Sequence, residues 1–122
     1  MENTPCHFEI PADDLEAARD FYTGLFSWTI KEGAEGDGEY LMISPSGQTG
    51  ALGGGLMKRA EGRQLTIYFT VESVDESARR VEELGGTILA PKVAIPRIGW
   101  AVTARDPQGN DIGLFEEDPE AA

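Results

Sequence analysis

The stretch CHFEI, Cys6 to Ile10, carries the single histidine of the chain, His7, with Glu9 two residues on. Alternate side chains of an extended strand share a face, so the imidazole and the carboxylate point the same way. Such a pair suits three chemistries: two donors of a metal centre, an acid/base couple in which the carboxylate raises and orients the imidazole, or the polar wall of a ligand pocket. His7 and Glu9 are therefore the candidate catalytic residues. They are also candidate ligand-binding residues, together with Tyr40, Met42, Thr66, Tyr68, Trp100 and Phe115, which lie on other short extended stretches.

Other chemistries find less to work with. Gly53, Gly54 and Gly55 are not followed by the helix and the Lys-Ser or Lys-Thr pair that a phosphate loop needs. A kinked strand, or close approach of another group to the backbone, accounts for them better. No serine sits in a nucleophile elbow. Cys6 has no basic neighbour to lower its pKa and reads as a small apolar residue.

The 122 residues suffice for one domain with its own core, and a lone cysteine forms no internal disulfide. With 10 Lys and Arg against 22 Asp and Glu, the formal charge of −12 repels a phosphate backbone and argues against nucleic-acid binding. No basic and apolar leader precedes the first strand, so the expectation is a soluble cytoplasmic protein without a membrane segment.

The elements that would position these residues repeat. DDLEAAR, Asp13 to Arg19, lies 60 positions before SVDESAR, Ser73 to Arg79, with matches at Glu16/Glu76, Ala18/Ala78 and Arg19/Arg79. Each copy opens with a capping signature, Asp13 with Glu16 and Ser73 with Glu76, and starts an amphipathic helix. Gly24 and Gly85-Gly86 are the expected helix ends. A strand precedes each helix: HFEI in the first copy and LTIYFTV in the second, where Leu65, Ile67, Phe69 and Val71 are expected to pack on the helix opposite Thr66, Tyr68 and Thr70. Three short strands follow each helix, around Trp28 to Lys31, Tyr40 to Ser44 and Ala51 to Met57, then Thr87 to Leu89, Trp100 to Arg105 and Asp111 to Phe115. Turns SPSG, Ser44 to Gly47, and DPQG, Asp106 to Gly109, occupy equivalent places. The expectation is one α+β domain over 1–122, built from two strand-helix-three-strand modules, 5–58 and 64–118. One face of each module's sheet is covered by its helix, and the bare faces are expected to curve around a cavity.

The doubled unit, the helix ending in FYTGLF, the paired turns and the closing DPQGNDIGLFE resemble the vicinal oxygen chelate superfamily of glyoxalases, extradiol dioxygenases and bleomycin resistance proteins. AIPRIGW to DPQGNDIGLF is similar to small bacterial glyoxalase-like proteins. The resemblance implies the glyoxalase-like fold, a small-molecule ligand or substrate and a homodimer. Metal-dependent members take one ligand each from the first, fourth, fifth and eighth strands. His7, fourteen residues before Phe21, matches the first-strand ligand. The eighth-strand position, four residues after the Asp-Pro-x-Gly turn, is Gly113; the fifth-strand one falls on about Thr66, and the fourth-strand one within ALGGG, Ala51 to Gly55. With those donors replaced, no cofactor is expected, and the reading is binding or sequestration of a small organic compound. The alternative is a divalent-metal lyase, isomerase or dioxygenase of the lactoylglutathione lyase type using His7.

Overall fold

The fold was obtained as a computed structural model that describes residues 2–32, 39–45 and 52–122. The chain divides into two units, one of residues 7–65 and one of residues 66–122 with the segment leading up to Cys6. Each carries a helix and a four-stranded run of sheet, an α+β arrangement.

In the first unit the order of elements is β1 (Pro5–Ala12), α1 (Leu15–Leu25), β2 (Thr29–Glu32), β3 (Tyr40–Ser44) and β4 (Gly54–Lys58). The strands lie in the order β2-β3-β4-β1, antiparallel except for the parallel pairing of β4 with β1. Ile10, Leu56, Leu41, Ile43 and Ile30 form the core, with Leu15, Ala18 and Tyr22 of α1 and the rings of Phe8 and Trp28 packed against it. The apolar three- and four-residue spacing of the helix thus meets the apolar alternation of the strands.

The second unit contains β5 (Thr66–Thr70), α2 (Val74–Glu83), β6 (Thr87–Ile95), β7 (Gly99–Arg105) and β8 (Asp111–Glu117), with the strands in the order β5-β8-β7-β6. Thr4, ahead of β1, bonds to Thr70 through both backbone and side chain. Val74, Val102 and Leu114 make the core, joined by Val71, Ala78, Val81, Ile88 and Trp100. The Asp106 carboxylate accepts from the backbone of Gln108 and Asn110, and Gly109 takes a φ of +90°, which closes the DPQG turn between β7 and β8.

Several expectations are corrected. The cap of α1 is Asp14, whose carboxylate accepts from Ala17 N at 3.0 Å, whereas Asp13 pairs with Arg59 Nε at 3.0 Å. The first helix runs through Gly24 to Leu25, because no left-handed residue is needed there: Phe26, extended, closes it through its N–H to Tyr22 O. Ser73 and Gly85, at φ +95°, cap α2 as their types predict. On β5, Ile67 is 40% exposed rather than covered by the helix, and Leu65, which precedes the strand, is 54% exposed. Helix α2 packs on β6, β7 and β8, which leaves that end of β5 beyond it. Strand β6 extends to Ile95, past the expected Leu89, by way of two irregularities in its pairing with β7. Most of the loop at 33–39, Gly47 in the SPSG turn and the start of the fourth-strand segment lie outside the described residues.

Candidate functional site

In the first unit the face of the sheet away from α1 is organised by register. Glu9 on β1 stands across from Gly55 on β4, and Gly55 stands across from Met42 on β3. Cross-strand partners point to the same side, so Glu9, residue 55 and Met42 form one row; His7 shares their face, two residues from Glu9. Tyr40 belongs to the next row, opposite Met57. Its side chain reaches back over Gly55, where an added Cβ would lie 2.1 Å from the Tyr40 hydroxyl oxygen. The glycine therefore supplies the space that the phenol fills.

The phenol binds both polar candidates. The Tyr40 hydroxyl donates to Glu9 Oε2 at 2.9 Å, and His7 Nε2 lies 2.9 Å from the same hydroxyl oxygen. A phenol has one proton, and it is committed to the carboxylate, so Nε2 of His7 carries its own proton and donates to the phenol oxygen. The chain of donors runs His7 to Tyr40 to Glu9, with Nε2 and Oε2 4.0 Å apart. Burial pushes the His7 pKa below its usual value, and the Glu9 carboxylate opposes this with a smaller upward pull. Both side chains stay partly open to solvent, at 30% and 20% for His7 and Glu9. Met42 is exposed beside them.

In the second unit the same device recurs. Tyr68 on β5 pairs with Gly113 on β8, and a Cβ at 113 would stand 2.2 Å from ring carbon Cδ2 of Tyr68. Thr66 shares the Tyr68 face and is almost wholly buried. Phe115 follows on that face, its ring packed over Gly99. Trp100 does not join them. It lies on the helix side with Val74, Val102 and Leu114, donates its indole N–H to Asp118 at 2.9 Å and takes Lys92 over its ring. The structure thus brings His7, Glu9, Tyr40 and Met42 together in one unit and Thr66, Tyr68 and Phe115 on one face of the other, and it turns Trp100 away.

Sequence reasoning missed the pairing of each glycine with a tyrosine, although a glycine inside a strand signals close approach. It also missed the ion pair of Arg105 with Asp111, whose side chain is fully buried; opposite charges flanking the DPQG turn at facing strand positions were the available signal. A hollow of about 330 Å³ lined by Leu15, Glu16, Arg19, Glu32 and Leu41 opens on the helix side of the first unit. It contains none of the candidate residues.

The donor set does not fit the metal of the metal-dependent relatives. A transition metal in such a site takes about four or more converging donors. At the eighth-strand position stands Gly113 under a tyrosine ring, and Gly55 on the fourth strand lies under a phenol. Between His7 and Glu9, the space for a shared ion is spanned by a hydroxyl. Among the described residues no three His, Cys, Asp or Glu side chains converge.

Similarity to known proteins agrees with this architecture. The family model of the Glyoxalase/Bleomycin resistance protein/Dioxygenase superfamily matches residues 5–114. An anthracycline biosynthesis protein of Streptomyces peucetius, DnrV, is 28% identical over 93% of this chain and 46% of its own length. The chain thus spans about half the length of the curated relatives it matches. Among solved structures, protein BH1468 of Bacillus halodurans superposes with a TM-score of 0.67 at 16% identity, covering 100% of this chain and 99% of that one. A methylmalonyl-CoA epimerase of Streptomyces coelicolor, bound to 2-nitronate-propionyl-CoA, superposes with a TM-score of 0.65 at 17% identity over 100% and 99% of the two chains. With its doubled strand-helix-three-strand units and its match from Pro5 to Leu114, the chain belongs to the Glyoxalase/Bleomycin resistance protein/Dioxygenase superfamily.

Proposed function

We propose that the protein binds a small organic compound without a metal, using the hydrogen-bonded His7, Tyr40 and Glu9 as the polar contact surface and Met42 as its apolar neighbour. One observation carries this reading: the Tyr40 hydroxyl, 2.9 Å from both His7 Nε2 and Glu9 Oε2, takes the place between them that an ion would need. Such a wall offers a carboxylate acceptor, an imidazole and a phenol to a ligand, all held in fixed positions before it arrives. Thr66, Tyr68 and Phe115 are the corresponding candidates of the second unit. The reading includes a homodimer and residence in the cytoplasm. No described helix is long and apolar enough to cross a membrane.

Two measurements test it. Protein purified without a polyhistidine tag is expected to contain no stoichiometric Ni, Zn, Mn or Fe. A small-molecule screen by thermal shift is expected to find compounds that raise the melting temperature of the wild type and lose that effect in His7→Ala. Stoichiometric metal that disappears in His7→Ala replaces this reading with the metal-dependent lyase, isomerase or dioxygenase.

A further inference from the structure

The turn between β6 and β7 holds an arginine where a glycine is favoured. Ile98 N donates to Ile95 O at 2.9 Å, so Pro96 and Arg97 are the middle residues of a tight turn, and Arg97 takes a φ of +66°. A positive φ at that place suits Gly or Asn, and a longer side chain is strained there. The turn is also held from outside: Arg97 N donates to Ala121 O and Asp118 N to Ile98 O, each at 2.9 Å. Pro96, Arg97 and Ile98 stand in solvent. Among the described residues the Arg97 guanidinium has no carboxylate partner, whereas those of Arg59, Arg79, Arg80 and Arg105 each have one.

The complementary features lie in the hollow of about 330 Å³ beside α1 in the first unit. Glu32 stands across the β2–β3 pair from buried Leu41, and so on the helix side of the sheet. With Glu16 of α1 it adds two carboxylates to an apolar lining of Leu15 and Leu41. Neither carboxylate has a hydrogen-bond or ion-pair partner among the described residues, and Arg19 beside them is tied to Ile30 O at 2.7 Å.

We propose that this turn of one chain docks into the hollow of a second copy, with the Arg97 guanidinium between the carboxylates of Glu16 and Glu32 and Ile98 against the leucines. The inference rests on the homodimer included in the reading above and names the surfaces that meet. Charge complementarity carries it. At a formal charge of −12 two copies repel each other overall, so a contact that sets a cation of one against anions of the other is the favoured one. Arginine suits both parts of the hollow, since its fork of N–H donors matches carboxylates and its aliphatic stem lies on apolar side chains. The fixed turn backbone presents the side chain without further ordering of the chain, which lowers the cost of docking. In a two-fold pair each chain offers its turn and its hollow, so the contact is made twice.

Sedimentation velocity of the whole chain at micromolar concentrations is the test. Arg97→Glu, and separately Glu16→Gln combined with Glu32→Arg, are each expected to weaken the self-association of the wild type by about 10-fold or more. Mixed in equal amounts, the two variants are expected to associate about as tightly as wild type, because each turn then meets a hollow of opposite charge. Far-ultraviolet circular dichroism shows whether each variant is folded. Arg97→Gly serves if a charge reversal unfolds the chain: it removes the guanidinium and relieves the positive φ, so association is expected to weaken while the urea midpoint of the monomer stays level or rises. A mixture that associates no better than its components overturns the inference. So does a dimer indifferent to Arg97→Glu or to Arg97→Gly, which leaves the homodimer standing on another surface. A wild type that remains monomeric throughout the micromolar range overturns both the inference and the homodimer.

Discussion

The ring of Tyr68 occupies the space of a side chain on Gly113, its partner across the β5–β8 pair. Neither residue can change alone without the other being felt. Gly113→Ala is expected to cost about 1–3 kcal/mol, the range for forcing extra volume into a packed site. Combined with Tyr68→Ala, the loss should fall below the sum of the two single losses, because the second change removes the clash of the first. Urea denaturation of the four proteins measures the coupling, and strict additivity would mean that ring and backbone do not compete.

His7 is the single histidine, so its ring titration is observed without assignment ambiguity. Burial lowers its pKa and Glu9 partly restores it. The wild-type midpoint is expected below the usual value of about 6.5, and Glu9→Gln should lower it further. The folded state then binds fewer protons than the unfolded one between the two pKa values. The corresponding contribution to stability is present above the unfolded pKa and is lost as the pH falls through the folded one. Proton NMR of the ring and urea midpoints across that interval check both statements; a midpoint raised by folding would reverse the sign.

Asp13 and Asp14 separate two roles that adjacent carboxylates could each fill. Asp14→Ala removes the cap of α1 and is expected to cost about 0.5–2 kcal/mol. Asp13→Ala gives up only a solvent-exposed pair with Arg59 and is expected to cost less than about 1 kcal/mol. Equal losses would place the cap elsewhere.

Burial raises the Cys6 thiol pKa, and its S–H donates to Tyr68 O at 3.6 Å. The thiolate fraction at mildly alkaline pH is therefore smaller than that of an unfolded cysteine, and alkylation by iodoacetamide should be slow in the native protein and accelerate in urea. Native and unfolded rates that coincide would contradict the partly buried thiol.

Local pattern alone determined a good part of this protein. The doubled order of strand, helix and three strands, the cap at Ser73, the turn at Asp106 to Gly109 and the shared face of His7 and Glu9 all follow from spacings of a few residues, which the backbone periodicities translate directly into structure. Where two neighbours were chemically alike, as at Asp13 and Asp14, the pattern could not choose. The facing of Trp100 was beyond it for a different reason. Ala101, Val102, Thr103 and Ala104 of β7 are all buried, so no alternation of apolar and polar residues marks the two sides of the strand. Only the tertiary structure decided that Trp100 packs under α2, that Ile67 of β5 stays exposed, and that Tyr40 lies over Gly55 between His7 and Glu9. Those relationships depend on strand register and on which strands a helix covers, and both are set by contacts between residues far apart in the chain.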